Sequence, residues 1–221
     1  MARCELLDAT TIVAFNSFNG EVDNLPEVPH LFVEFEGLSD SDVTQQTELA
    51  AEVLTDCGGE RIRFAADEDE RRRLWKARHS TYYAALALRP GSRGIVTDAC
   101  VPLSELADIM FATAADMEEL GVIGPMLGHA GDGNFHCILL VKDDDPPEYT
   151  EALRQVNHRL IERTLSVGGT CTGEHGVGHG KARYLIDQFG VHGVGAMKAI
   201  KNALDPLGIM NPGKVIPIFG P

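Results

Sequence analysis

The sequence has few basic residues for its size. Its 221 residues include 19 Lys and Arg against 33 Asp and Glu, so the formal net charge at pH 7 is −14. A strongly acidic surface repels phosphate groups, so we expect no nonspecific binding to nucleic acid or to anionic lipid. An acidic protein that handles an anionic ligand must place its few cations locally, which directs attention to individual arginines and lysines.

The sequence also lacks several signals of location. It has no apolar run of about 20 residues, so we expect no transmembrane segment, and no charged-then-apolar leader of the secretory type. Its cysteines are odd in number and scattered, without a Cys-x-x-Cys pair: Cys4, Cys57, Cys100, Cys137 and Cys171. Such a set indicates reduced thiols rather than a disulfide framework. We therefore expect an intracellular protein, cytoplasmic in a bacterium or mitochondrial in a eukaryote.

No nucleotide-binding fingerprint is present. The glycine-rich residues 176–181 fail the Gly-x-Gly-x-x-Gly pattern because position 181 is lysine, and they fail the phosphate-loop pattern, which requires Gly-Lys followed by Ser or Thr. We therefore expect that the chain does not bind a whole dinucleotide by itself. Its hydrophobic content of 44% and charged content of 24% are those of a globular protein with a full core.

Two short apolar runs within residues 127–140 are joined by Gly-Asp-Gly-Asn, which is typical of a hairpin turn. With residues 131–134 as the loop, His129 faces His136. Cross-strand partners have Cβ atoms about 4.5–5.5 Å apart and point to the same side of the sheet, so the two imidazoles could converge on one metal ion. Three residues are expected to serve the turn, because glycine and asparagine tolerate positive φ: Gly131, Gly133 and Asn134.

A second motif, Gly173-Glu174-His175-Gly176, places a carboxylate beside a third imidazole. Adjacent residues of an extended strand point to opposite faces, so both side chains reach one site only through a bend, which the flanking glycines allow. Two histidines and a carboxylate are a typical set for a metal that keeps positions open for substrate. The alternative is that the hairpin histidines are structural and that the Glu-His pair lies on a surface turn.

These motifs, together with Asn211-Pro212-Gly213-Lys214, resemble the C-terminal domain of flavin-linked D-2-hydroxy-acid dehydrogenases. Residues 74–79 and 87–91 are most similar to the D-lactate dehydrogenases that pass electrons to a cytochrome or another acceptor. The resemblance covers nearly the whole chain in order. It implies that residues 1–221 are one domain of a larger flavoenzyme, whose FAD-binding domain precedes this region, and that the tail 205–221 folds back toward the flavin.

The resemblance also implies roles for individual residues. The metal ligands would be His129, His136 and Glu174; the base would be His175; the substrate contacts would be Arg78 and Arg93; and the flavin contacts would be Asn134, Asn211 and Lys214. Tyr82 follows from helix periodicity instead, because it lies four residues after Arg78 on the same face of a predicted helix, where the cation and the phenol could clamp a small carboxylate. Arg93 stands where relatives usually carry lysine, which keeps the charge but alters the reach. The alternative for Arg78 is an ordinary solvated arginine. Zn²⁺ suits the ligand set best, although the same nitrogen and oxygen ligands would also bind Mn²⁺, Fe²⁺ or Co²⁺.

The function that follows is the oxidation of a D-2-hydroxy acid to the 2-oxo acid with hydride transfer to FAD. D-lactate is the first expectation, with glycolate and D-2-hydroxyglutarate as related substrates. The electrons would pass to a cytochrome, another flavoprotein or a quinone, and a homodimer remains open. Two rival hypotheses use the same residues: a non-haem iron oxygenase, and a non-catalytic metal-binding or assembly module.

The alternation of apolar and polar segments predicts an α+β fold. We expect strands over residues 2–7, 31–36, 62–64 and 94–101, and helices from Asp8 to about Phe18, from Ser39 to about residue 57, and over residues 67–88, 104–120 and 148–167. The resemblance implies two fused ferredoxin-like units, with an antiparallel sheet and helices on one face.

Overall fold

The computed structural model describes residues 1–18, 24–65 and 67–216. Seven helices and six strands are found among these residues, in the following order: β1 (Arg3–Leu7), α1 (Ala9–Phe18), β2 (His30–Glu34), α2 (Asp40–Asp56), α3 (Glu68–His79), α4 (Thr81–Ala87), β3 (Arg93–Val96), β4 (Ala99–Cys100), α5 (Leu106–Glu119), β5 (Met126–His129), β6 (Asn134–Val141), α6 (Pro147–Ser166) and α7 (Leu185–Leu204). This mixture of helices and antiparallel strands confirms the α+β class, whereas the ferredoxin-like arrangement stays a prediction.

The chain divides into two compact units, of which the first contains Met1–Ile95, Gly124–Gly131 and Cys137–Asp144. Its strands follow the order β2-β1-β5-β6-β3, and β1 pairs in antiparallel fashion with both β2 and β5. Helix α1 packs on α4. Burial of the apolar side chains of α1 explains this packing, since Ile12 and Phe15 are almost completely inaccessible to solvent.

The second unit contains Val96–Ile123, Asp132–His136 and Asp145–Pro221. Here β4 pairs with the beginning of β6, with Ala99 opposite Phe135 and Cys100 opposite Asn134. Helix α5 packs on α6, and the buried Asp116 of α5 forms ion pairs with Arg159 and Arg163 of α6. Ion pairs therefore join α5 to α6 within the second unit.

The helix predicted over residues 67–88 is two helices, α3 and α4, which are separated at Ser80. The Ser80 hydroxyl donates to the carbonyl oxygen of Lys76 at 3.1 Å, and the Thr81 hydroxyl donates to the carbonyl oxygen of Arg78. Side-chain hydroxyls that bond to the preceding turn compete with the helical backbone pattern. Arg78 and Tyr82 are consequently on separate helices rather than on one continuous face.

The strand predicted over residues 94–101 is also interrupted, because Thr97 and Asp98 lie between β3 and β4. Residues 62–64 form no strand, and the backbone at Arg61 has a φ of 57°. Helix α7 was not predicted, because its glycines lower helix propensity; Gly190, with φ 69° and ψ 169°, interrupts it. No helix in the described part of the chain is long and apolar enough to cross a membrane.

Candidate metal and substrate site

A tight turn joins β5 to β6 through residues 130–133, one position earlier than predicted, so Asn134 belongs to the strand. Of the three residues predicted to serve the turn, Gly133 has positive φ, at 76°, whereas Gly131 and Asn134 do not. A Cβ atom at Gly133 would lie 2.0 Å from the carbonyl oxygen of Val101. Only glycine fits at this position, both for its backbone conformation and for the space available.

His136 is held by its Nδ1 atom. It is 4% exposed, and Nδ1 lies 2.9 Å from the carbonyl oxygen of Thr97. A carbonyl oxygen can only accept, so Nδ1 carries the proton in this contact. Burial, and secondly the neighbouring His175, lower the pKa of His136 despite the opposing effects of this hydrogen bond and of the nearby carboxylates. The neutral ring is favoured, and its Nε2 atom then presents a lone pair.

That lone pair faces a carboxylate. His136 Nε2 lies 3.0 Å from Oε1 of Glu174, so a neutral imidazole brings two electron-rich atoms into contact. Such a contact is stable when a cation is bound by both atoms, and a ligating histidine commonly donates its other ring N–H to a backbone carbonyl. The donor set at these two residues therefore fits a divalent metal ion.

His175 lies beside the same pair. Its ring stacks on that of His136, with centroids 4.9 Å apart and planes 18° apart, and its Nε2 is 3.2 Å from Glu174 Oε1. The bend at residues 173–176 thus brings a carboxylate and an imidazole to the same place. Gly173 permits close approach, since a Cβ there would lie 2.5 Å from the amide oxygen of the buried Asn134.

Sequence reasoning missed Asp98, which supports this bend. Asp98 lies in the break between β3 and β4, with a fully buried side chain. It accepts hydrogen bonds from the Thr172 hydroxyl at 2.6 Å and from the backbone amides of Glu174 at 3.2 Å and His175 at 2.9 Å. Lys181 Nζ donates to both its carbonyl and its carboxylate oxygen. Burial opposes ionisation, but the hydrogen bonds and the lysine hold the pKa of Asp98 well below its usual range.

In the first unit, Arg78 and His129 share a partner, Glu5, that sequence reasoning also missed. Arg78 is 8% exposed, and its Nη2 donates to Glu5 Oε2 at 2.7 Å. His129 Nδ1 lies 2.8 Å from Glu5 Oε1. A carboxylate fixes the proton of a histidine on the nitrogen that faces it, so Nε2 of His129 is the atom suited to a metal.

The other predicted substrate contacts are more exposed. Tyr82 has 37% of its surface exposed, and its ring packs so closely on Gly94 that a Cβ there would lie 2.9 Å from Cε2. The Nε atom of Arg93 lies 3.7 Å from an oxygen of the exposed Asp143, which is a weak surface ion pair.

The predicted flavin contacts of the tail are exposed as well. The Lys214 amide donates to the Asn211 carbonyl at 3.2 Å, and the Val215 amide donates to the Gly178 carbonyl at 2.8 Å. The tail therefore reaches back to the glycine-rich loop that follows His175. Residues 217–221 lie outside the described residues.

A surface depression of the first unit, with a volume of about 520 Å³, is lined by several cations and by Trp75 but by none of the predicted site residues. Arg3 and Arg71 on this surface are both paired with Glu34. Because Glu34 balances the charges of these two arginines, they are less suited to binding an anionic substrate in this depression.

Comparison with known proteins agrees with these observations. The model of the family described as FAD linked oxidases, C-terminal domain, matches residues 1–215. The chain belongs to this family. A zebrafish (Danio rerio) protein named as a probable mitochondrial D-lactate dehydrogenase is 44% identical over 216 residues, which are 98% of this chain and 43% of the relative. A mitochondrial D-lactate dehydrogenase [cytochrome] of Arabidopsis thaliana is 39% identical over 217 residues, 98% of this chain and 38% of the relative.

This FAD-linked oxidase C-terminal domain thus spans less than half of the length of either relative. Among solved structures, a 4-ethylphenol oxidase from Gulosibacter chungangensis in complex with isoeugenol is similar over 98% of this chain and 48% of that chain. Its TM-score is 0.65 at 17% sequence identity. At that identity the likeness concerns the fold alone.

Proposed function

We propose that this chain is the substrate- and metal-binding part of an FAD-dependent dehydrogenase of D-2-hydroxy acids, with D-lactate as the first substrate to test. Family membership supports the flavin-linked oxidation, and the names of the zebrafish and Arabidopsis relatives support D-lactate. The observation that carries the metal is the 3.0 Å contact of His136 Nε2 with the Glu174 carboxylate, made by an imidazole whose Nδ1 faces the Thr97 carbonyl oxygen.

The proposed metal ligands are His129, His136 and Glu174. Each histidine has its Nδ1 beside an acceptor, Glu5 for His129 and the Thr97 carbonyl for His136, which orients the ring and makes Nε2 the proposed coordinating atom. A divalent ion such as Zn²⁺ or Mn²⁺, when bound, supplies a positive charge that lowers the pKa of a substrate hydroxyl. Nitrogen and carboxylate donors suit either ion.

Arg78 is proposed to bind the substrate carboxylate. Its pairing with Glu5 holds the guanidinium in place, while its buried Nε has no hydrogen-bond acceptor among the described residues. An unsatisfied buried donor costs about 1–3 kcal/mol, so this atom favours an acceptor supplied by a ligand. A planar guanidinium can bind such a carboxylate through two parallel hydrogen bonds.

His175 is proposed as the base that accepts the hydroxyl proton. Its side chain is half exposed and can reach a bound acid, and its Nε2 lies 3.2 Å from Glu174 Oε1. FAD, when bound, supplies the hydride acceptor. Asn134, Asn211 and Lys214 remain proposed flavin contacts, with the rest of the flavin held by residues outside this chain, and a cytochrome is the proposed final acceptor.

The first experiment is metal analysis by inductively coupled plasma mass spectrometry on the purified chain, the His136→Ala variant and the His158→Ala variant. His158 is a matched control because it lies on α6, where it contacts Tyr184 and Glu162 rather than the proposed ligands. We expect about one Zn²⁺ or Mn²⁺ per chain in the wild type and in His158→Ala, and loss of it in His136→Ala. A wild-type chain that stays metal-free after incubation with both ions and D-lactate would contradict the proposal.

A further inference from the structure

The bend that carries Glu174 and His175 has little intrinsic order. Gly173 and Gly176 flank the two residues, and Gly176 has a φ of 80°, so the backbone alone leaves many conformations open. Both side chains are nearly half exposed, so packing does not fix them either. Yet Glu174 Oε1 lies 3.0 Å from His136 Nε2. Something other than local propensity must select this conformation.

Asp98 is the group that does so. The Thr172 hydroxyl and the amides of Glu174 and His175 all point at its one carboxylate. Three donors from four consecutive residues can converge on a single group only if the chain wraps around it. The amides lie on the residues whose side chains face His136, so the carboxylate sets the direction in which these side chains leave the backbone.

The charge of Asp98 is balanced inside the second unit. Lys181, with a side chain that is 14% exposed, lies 3.2 Å from Asp98 Oδ2 and closes the loop that begins at the bend. The adjacent Thr97 carbonyl holds His136. The break between β3 and β4 therefore holds His136 through Thr97, and Glu174 and His175 through Asp98.

We propose that Asp98 is a positioning residue, which holds the bend so that the Glu174 carboxylate and the His136 imidazole are preorganised for one metal ion. This inference rests on the metal site of the proposed function. Removal of a residue that hydrogen-bonds to a metal ligand and orients it typically weakens metal binding by about 10- to 100-fold. Asp98 acts on Glu174 through the backbone rather than through the ligand atom, which distinguishes it from Glu5 and Thr97.

The test is isothermal titration calorimetry of the chain with MnCl₂. Mn²⁺ is chosen because it prefers nitrogen and oxygen ligands and binds weakly to the thiols of the five cysteines. Asp98→Asn removes the negative charge and replaces one of the two acceptor oxygens by a donor, so it cannot accept all the hydrogen bonds that the carboxylate accepts from residues 172–175 and Lys181. We expect its Kd for Mn²⁺ to rise about 10- to 100-fold. The matched control is Asp116→Asn, which removes another buried carboxylate of the second unit that pairs with two arginines. We expect its Kd to stay within about twofold of wild type.

Thr172→Val is a milder second variant, which keeps the test possible if Asp98→Asn does not fold. It deletes a single hydrogen bond to Asp98 and should raise the Kd for Mn²⁺ about 2- to 10-fold. Amide hydrogen exchange of the metal-free chain gives a second readout. Protection at Glu174 and His175 should fall in Asp98→Asn and persist in Asp116→Asn. A wild-type chain that binds no Mn²⁺ would refute the metal site alone, whereas unchanged exchange in Asp98→Asn, or Kd values of Asp98→Asn and Thr172→Val equal to wild type, would overturn the role of Asp98.

Discussion

Replacing Glu5 by glutamine should destabilise the first unit substantially, because Glu5 bridges two site residues from a buried position. The side chains of Glu5 and Arg78 are 11% and 10% exposed. Removing one partner of a buried ion pair costs about 3–5 kcal/mol. Glutamine retains one acceptor oxygen, and a hydrogen bond to a charged group returns about 1.5 kcal/mol or more. The expected loss is therefore roughly 2–3 kcal/mol, or a fall in Tm of roughly 5–10 °C for a chain of this size.

Thermal unfolding followed by circular dichroism tests this prediction, with Glu119→Gln as the control. Glu119 also pairs with an arginine, Arg159, at 3.0 Å, but its side chain is 62% exposed, so its replacement should cost less than about 1 kcal/mol. Combining Glu5→Gln with Arg78→Met should recover most of the loss, because the uncompensated charge is then removed. If Glu5→Gln melted within 2 °C of Glu119→Gln (a margin of about 1 kcal/mol), the pair would not be buried as described.

Three further outcomes follow from the same structure. Gly133→Ala should cost at least about 2 kcal/mol, because it combines positive φ with a clash at the Val101 carbonyl, whereas Gly131→Ala, whose added Cβ would meet its nearest neighbour at 3.6 Å, should be tolerated; urea unfolding compares the two. The lowered pKa of Asp98 means that its contribution to stability is complete above the unfolded value of about 3.9 and is lost as the pH falls below it. The Tm of the wild type should therefore drop more steeply below pH 4 than that of Asp98→Asn, and equal slopes would contradict the assignment. In a flavin-loaded full-length protein, Arg78→Lys should lower kcat/KM for D-lactate by about 10-fold or more, since lysine lacks the two-pronged hydrogen bonding of arginine; unchanged kinetics would remove the carboxylate role.

The sequence predicts the local parts of the candidate site well. The Gly-Asp-Gly-Asn turn places a hairpin within one residue of its position, and the flanking glycines of Glu174 and His175 predict the bend that brings them to His136. These features depend on neighbours in the chain, so residue type and spacing carry the information. The same holds for Asp8, whose side chain accepts from the Thr11 amide at the start of α1, as its position predicts.

The residues that hold the site were missed because their partners are distant in the chain. Glu5 is 73 positions from Arg78 and 124 from His129, and Asp98 is 77 from His175. A signal for them was present, since Glu5 lies on the buried face of β1 with Leu7, and Asp98 is the one charged residue in the stretch 94–101. Ionisable residues are almost never buried unless they are paired. A carboxylate inside an apolar strand pattern therefore predicts a buried partner, even when the sequence does not identify it.

The two missed carboxylates, Glu5 and Asp98, explain why the His and Glu motif alone does not define the geometry of the proposed metal site. The rings of His129 and His136 are oriented by contacts at Nδ1, and the backbone at Glu174 and His175 is held by amide hydrogen bonds to Asp98. A metal site needs ligands held to within about half an ångström, which glycine-rich turns do not provide. A variant that keeps the proposed ligands but lacks Glu5 and Asp98 should accordingly bind a divalent ion less tightly than the wild type.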